Sequence, residues 1–276
     1  MDGRNETATV SDLIWYFLPT IVLVPPLGIP ANALVLRLLL GKPNICSTSE
    51  VFVLNLAVFD MMFCFMVVIE YFYFMFNKSK VNAHFLSWGL SQAGGPLLLC
   101  AISLDAFMAV CHPLIFLRLK EPKLRLSLCL LVNVLVFTAC GLAKLKPFYM
   151  LVMILGILMV TMLTISTSNV LILKSLRRPG PGGKDLHPVK KRAFKMVFTA
   201  LVMVDFHYLP SLAESLIKVL FPTLLSPYSI LTSFTYLILS MSSFIQPLSY
   251  LVRTKQLPKM RCNEKAETKT KKISDF

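Results

Sequence analysis

VFVLNLAVFDMMFCFMVVIEYFYFMF, residues 51–76, runs for twenty-six residues without a Lys or Arg and with acids only at Asp60 and Glu70. Wound as a helix it extends about 39 Å, enough to cross the roughly 30 Å hydrocarbon core of a bilayer. An ionisable group in hydrocarbon costs a few kcal/mol or more unless it faces other helices, so both acids need neighbours. The stretch therefore predicts a membrane helix inside a bundle.

Further apolar runs lie on either side of it. Together they predict seven spans, at 13–40, 51–76, 84–111, 126–143, 147–173, 194–220 and 228–252. With 56% hydrophobic and 15% charged residues, the chain has too little polar surface for a soluble globular domain. The expected fold class is all-α, a seven-transmembrane-helix bundle. Residues 1–12 form an extracellular tail, 13–252 the membrane domain and 253–276 a basic cytoplasmic tail. No internal repeat relates the two halves, which argues against an inverted-repeat transporter.

Orientation follows from the cations. With the N-terminus outside, the inner segments hold 22 of the 28 Lys and Arg, leaving Arg4, Lys78, Lys80, Lys144, Lys146 and Lys218 outside. The net charge of +14 is then explained by topology and by anionic inner-leaflet lipid, with no nucleic-acid partner required. Two glycosylation sequons, at Asn5 and Asn77, fall on the outer side of this arrangement. The N-terminus lacks the parts of a cleaved leader, so the first span is expected to act as an uncleaved signal anchor. Seven cysteines offer no outer-loop pair for a disulfide, and Cys262 in the basic tail is a candidate for lipidation.

The polar residues within the spans are few: Asn32, Asp60, Glu70, Asp205, His207 and Glu214, with Asn133 and Gln246. In the sixth span His207, Ser211, Glu214 and Lys218 recur at helical spacing, so they share one face and Glu214 pairs with Lys218 at i, i+4. In the seventh, Ser233, Tyr236, Ser240 and Ser243 do the same. Two such stripes facing each other make either a ligand cavity or a hydrogen-bonded helix contact. His207 is expected to be a neutral, hydrogen-bonded residue rather than a pH switch. No H-E-x-x-H or paired-carboxylate pattern appears, and no enzyme chemistry is expected.

Five motifs then fall in order. They are Gly28-x-Pro30-x-Asn32, LNLAVFD at 54–60, ISLDAFMAVCHPL at 102–114, Pro210 after VDFHYL, and QPLSY at 246–250. Together they resemble the rhodopsin-like (class A) G-protein-coupled receptors, and the details look most like the purinergic, protease-activated and hydroxycarboxylic-acid branch. The resemblance implies a ligand pocket lined by Glu70, Trp88, Gln92, Tyr208, Glu214, Lys218 and Tyr236. It implies a sodium ion near Asp60, with Asn32, Ser242 and Gln246 as neighbours. Gly95 stands where the family often has a Ser on the third helix, so one ligand of that ion would be missing. It also implies hinges at Pro210 and Pro247, each of which removes a backbone hydrogen bond.

The departures fall on the signalling parts. The family's D-R-Y is here Asp105-Ala106-Phe107, and the partner Tyr on the fifth helix is Asn169. Lys190 stands where some relatives have an acid, and Tyr250 is kept. Asp105 is expected to pair with Lys190, Lys191 or a cation of the second inner loop. Asn133 replaces the fourth-helix Trp, Val81 replaces the disulfide Cys, and the second outer loop is too short to form a lid, as in melanocortin receptors. AGGP at 93–96 is expected to loosen the third helix.

The resemblance thus implies a multi-pass plasma-membrane receptor for an unknown extracellular ligand, acting on a heterotrimeric G protein in a weakened or atypical way. A non-signalling decoy or a partner of another membrane receptor is the alternative, and a transporter using Asp60, Asp205 and Glu214 is a third. The terminal Ser274-Asp275-Phe276 is compatible with a PDZ-type ligand.

Overall fold

The computed structural model describes residues 10–41, 50–77, 87, 89–119, 121–145, 147–177, 188–221 and 230–254. Among these the helices are α1 (Val10–Leu40), α2 (Glu50–Asn77), a π-helical turn (Leu90–Gly94) leading into α3 (Gly95–Cys111), α4 (Pro113–Leu119), α5 (Pro122–Leu145), α6 (Pro147–Arg177), α7 (Pro188–Leu220) and α8 (Ile230–Arg253). Helices suit this chain because a bilayer offers backbone groups no water, and a helix satisfies them within one segment. Four of the helices, α4 to α7, begin at a proline, whose missing N–H is one the first turn leaves unused.

Each predicted span has its helix, and α4 is an additional short one in the predicted inner loop. Among the described residues six helices are long and apolar enough to cross a membrane, and α8 is not one of them. Its composition explains this: Thr232, Thr235, Tyr236, Ser240, Ser242 and Ser243 are all buried, so its polarity points into the bundle. The outward surface is apolar instead, with Phe72, Phe76, Val160, Leu163, Phe206 and Phe234 among its exposed residues. So extensive an apolar exterior is the surface of a multi-pass membrane protein.

In the bundle α1 packs on α2 and α8, α3 on α2 and α6, α6 on α5 and α7, and α7 on α8. The helices α5 and α6 end and begin at Leu145 and Pro147, leaving no room for a lid between them. Two glycines permit close approaches. A Cβ on Gly28 would lie 2.8 Å from Cys64 Sγ of α2, and one on Gly95 would collide with the Tyr208 hydroxyl of α7. The π turn has a local cause. Pro96 cannot donate to the carbonyl four residues back, at Gln92, so the ladder slips there. The third helix is thus rewound around AGGP while Leu90–Gly94 remains buried.

Candidate functional site

At the end of the bundle bearing Glu70 and Glu214, the polar residues are tied to one another. Glu70, 1% exposed on α2, accepts the Ser87 backbone N–H at 3.0 Å with one oxygen and the Ser87 hydroxyl at 2.5 Å with the other. The same hydroxyl lies 3.2 Å from the Tyr236 hydroxyl of α8, whose ring packs edge-on to Phe63. Gln92 in the π turn donates to the Ser211 hydroxyl of α7. Lys218 Nζ stands 2.6 Å from Glu214 Oε1, the i, i+4 pair expected from the sequence. Of the two stripes, Ser211 thus meets Gln92 and Tyr236 meets Ser87, while Glu214 pairs with Lys218 of its own helix. Trp88 lies outside the described residues.

Deeper in the bundle Tyr208 is 1% exposed and packs among Ile154, Leu158, Val204 and Leu239. Its hydroxyl fills the space above Gly95, accepts from Gln246 Nε2 at 3.3 Å and is bonded to Ser242. Tyr208 is thus a core strut between α3, α7 and α8. Asp60 is hydrogen-bonded to Ser243, the residue after the expected Ser242, because Ser242 is turned toward Tyr208. Asn32 donates to the backbone oxygens of Gly28 at 3.0 Å and Ser243 at 2.8 Å. Three buried side-chain oxygens here have no hydrogen-bond partner: Asn32 Oδ1, Asp60 Oδ2 and Gln246 Oε1. Uncompensated carboxylate and amide oxygens are the donor types a hard cation takes. Among the described residues no group of three or more His, Cys, Asp or Glu forms a metal site.

The other ionisable residues are dispersed. Asp205 is bonded to Ser166 on α6, and His207 Nδ1 lies 2.6 Å from the Met203 carbonyl within its own helix. Asn133 receives a hydrogen bond from Asn55 of the LNLAVFD segment at 3.1 Å, which gives the fourth-span substitution a place in the packing. Pro210 interrupts the hydrogen-bond ladder of α7 and Pro247 that of α8, and Pro247 is buried.

At the opposite end, Arg125 Nη2 of α5 lies 2.8 Å from Asp105 Oδ1, and its guanidinium is held over the Phe116 ring of α4 at 5.6 Å. Of the cations expected to meet Asp105, it is the second-loop arginine that does so. The Lys190 side chain lies outside the described residues, as do Asn5, the Asn77 side chain and Cys262. Phe107 packs edge-on against His112, at 5.5 Å between ring centroids. Tyr250 donates to Glu50 Oε1 at 2.9 Å, joining α8 to the first turn of α2. Between these ties a cavity of about 240 Å³ opens, lined by Ala106 and Ser103 of α3, Asn169 of α6, Met203 of α7 and Gln246, Tyr250 and Arg253 of α8.

The residues that sequence reasoning passed over are Ser87 and Asn55. Ser87 belongs to no stripe, since it precedes the π turn, and Asn55 sits in the LNLAVFD motif without a visible partner.

Residues 31–145 match the family model of the 7 transmembrane receptors (rhodopsin family), a stretch that takes in the last third of α1 and all of α2 to α5. Over that length the chain is similar to the rhodopsin family. No curated protein matches the chain.

Proposed function

We propose that this chain is a rhodopsin-family cell-surface receptor whose G-protein output is weakened or atypical, with the N-terminus outside and the Asp105 end of the bundle in the cytoplasm. The charge distribution supports the orientation, since the inner segments then carry most of the Lys and Arg. The observation that carries the functional reading is the state of the D-A-F segment. Asp105 is neutralised by Arg125, a residue of α5, and Ala106 leaves a cavity where the family's arginine would project. Arginine supplies several directed hydrogen bonds and a permanent charge, and Ala106 supplies none. Whatever contacts a G protein here must come from the basic inner segments.

The pocket expected at the other end is a set of closed ties in this conformation. A ligand that binds there must prefer a state in which Glu70–Ser87–Tyr236 or Gln92–Ser211 is rearranged, and that preference is what would shift the equilibrium. A sodium ion at Asp60 would stabilise the state described, using the unpartnered oxygens of Asn32, Asp60 and Gln246.

Ala106 also favours a second reading, a seven-helix protein that binds ligand or another receptor without G-protein output. The experiment is basal and ligand-library-stimulated G-protein activation by wild type and Ala106→Arg at matched surface expression. Activation by wild type supports the receptor reading. Silence of wild type with activity of Ala106→Arg supports the second, and silence of both removes Ala106 as the cause.

A further inference from the structure

Three acids of the spans, Asp60, Glu70 and Glu214, are buried in the bundle, whereas Asp205 of α7 is only half-buried. Val202 and Leu209, three residues before it and four after it on the same helix face, are both more than half exposed. The pattern repeats on α6. Leu163, Ser166 and Val170 have the same spacing, the two apolar members are again more than half exposed, and Ser166 is the residue bonded to Asp205. Two outward apolar stripes are thus joined at their middles by one polar pair. Depth excludes a lipid headgroup as a further partner for this acid. Asp205 lies eight residues, about 12 Å, from the nearer end of the Val197–Leu220 span, and its side chain is too short to reach a membrane surface. An uncharged carboxyl there has a proton to donate, and a charged one is costly in hydrocarbon. What can serve it at that level is another membrane helix.

We propose that this face of α6 and α7 is the contact between two copies of the chain, paired about a two-fold axis along the membrane normal. Symmetry supplies the match. A second copy in the same orientation brings its own Asp205 and Ser166 to the same depth, so the surface is self-complementary. Uncharged, each carboxyl can donate to the partner's Asp205 or to the partner's Ser166, and each can also accept. Leu163, Val170, Val202 and Leu209 then pack around the pair and keep lipid from it. A helix of another protein would need a polar residue at that level, which a second copy has by identity. The contact depends on the membrane fold and is independent of whether the chain couples to a G protein.

The test is energy transfer between donor- and acceptor-labelled full chains, reconstituted together in phosphatidylcholine vesicles over a series of protein-to-lipid ratios. Wild type should follow a monomer–dimer curve. Asp205→Leu gives the lipid an apolar side chain and removes the interhelical bonds, so it should raise the dissociation constant roughly tenfold or more. Asp205→Asn keeps a donor and an acceptor at the same place and should stay within about threefold of wild type. Leu163→Trp is a second variant of the same face if Asp205→Leu does not fold, and it too should weaken the dimer. Val134→Trp, on the exposed side of α5, is the control and should leave the curve unchanged. A wild type that remains monomeric at every ratio overturns the proposal and leaves Asp205 to a helix of another protein. Dimers of Asp205→Leu and Leu163→Trp as tight as those of wild type overturn it as well, as does an equal loss in Val134→Trp.

Discussion

Arg125 Nη2 and Asp105 Oδ1 stand 2.8 Å apart, with the arginine side chain 3% exposed and the aspartate 14%. The pair joins the end of α3 to the first turn of α5, and Phe116 of α4 covers its open side. Ala106, next to this aspartate, offers it no cation, and a neighbouring helix does so instead. Removing one member leaves the other charge buried without compensation, a loss of about 3 kcal/mol for well-buried pairs. Arg125→Gln should therefore lower the thermal unfolding temperature in detergent by several degrees. Asp105→Asn added to it should restore much of the loss, because the charge left alone is then removed. Equal and additive losses from the two substitutions would show that the pair is not coupled.

Gly95 and Tyr208 yield a second prediction. Any side chain at Gly95 meets the Tyr208 hydroxyl, so Gly95→Ala should destabilise the fold by about 1–3 kcal/mol through overpacking. Tyr208→Phe alone takes a hydrogen-bond partner from Gln246 and should cost about 1 kcal/mol. The two together should cost less than Gly95→Ala alone, because the colliding atom is gone. Thermal unfolding of the three variants checks this. A double variant as unstable as the sum would place the collision elsewhere.

How far the sequence reaches is clearest at these residues. The spans were legible because each is a long apolar run, and the sixth-span stripe was legible because helical spacing puts His207, Ser211 and Glu214 on one buried face. The Glu214–Lys218 pair follows from the same arithmetic. Periodicity says nothing of which stripe residue meets which helix. Ser242 and Ser243 are adjacent on one helix, and only the rotation of α8 sends the first to Tyr208 and the second to Asp60. The choice of Arg125 among the candidate cations depends likewise on where α4 and α5 bring it. Glu70 was legible as a buried acid in need of neighbours, but its donor Ser87 comes from a short segment with no periodic signal.

The Glu70 tie makes a prediction about hydrogen-bond supply. Ser87 presents two donors to one carboxylate, and Glu70→Ala removes both acceptors from a site that is 1% exposed. A buried donor without an acceptor costs about 1–3 kcal/mol, so Glu70→Ala should destabilise by about that amount or more. Glu70→Gln keeps one acceptor, and its amide can donate to the Ser87 oxygen while that hydroxyl turns to Tyr236. It should cost about 1 kcal/mol or less. The order Ala below Gln below wild type in unfolding temperature is the check, and equal effects of Ala and Gln would mean that the carboxylate charge, not the bonding, holds the helices.

Asp60 provides the last prediction. It is 7% exposed, Ser243 satisfies part of it, and its Oδ2 has no partner, while Asn32 Oδ1 is also unpartnered. Either a proton or a cation must compensate such a carboxylate in mid-membrane. A bound sodium ion stabilises the folded state by RT ln(1 + [Na⁺]/Kd), about 2.7 kcal/mol at a hundredfold excess over Kd. Replacing choline chloride by sodium chloride at constant ionic strength should therefore raise the unfolding temperature of wild type. Asp60→Asn keeps the shape but removes the charge, so its unfolding temperature should not depend on which cation is present. Gly95 offers no side-chain oxygen, and the Tyr208 hydroxyl stands in the space beside it, so the response should saturate only at high sodium. A wild type indifferent to the exchange, or an Asp60→Asn variant that still responds to it, means that sodium is not what compensates this carboxylate.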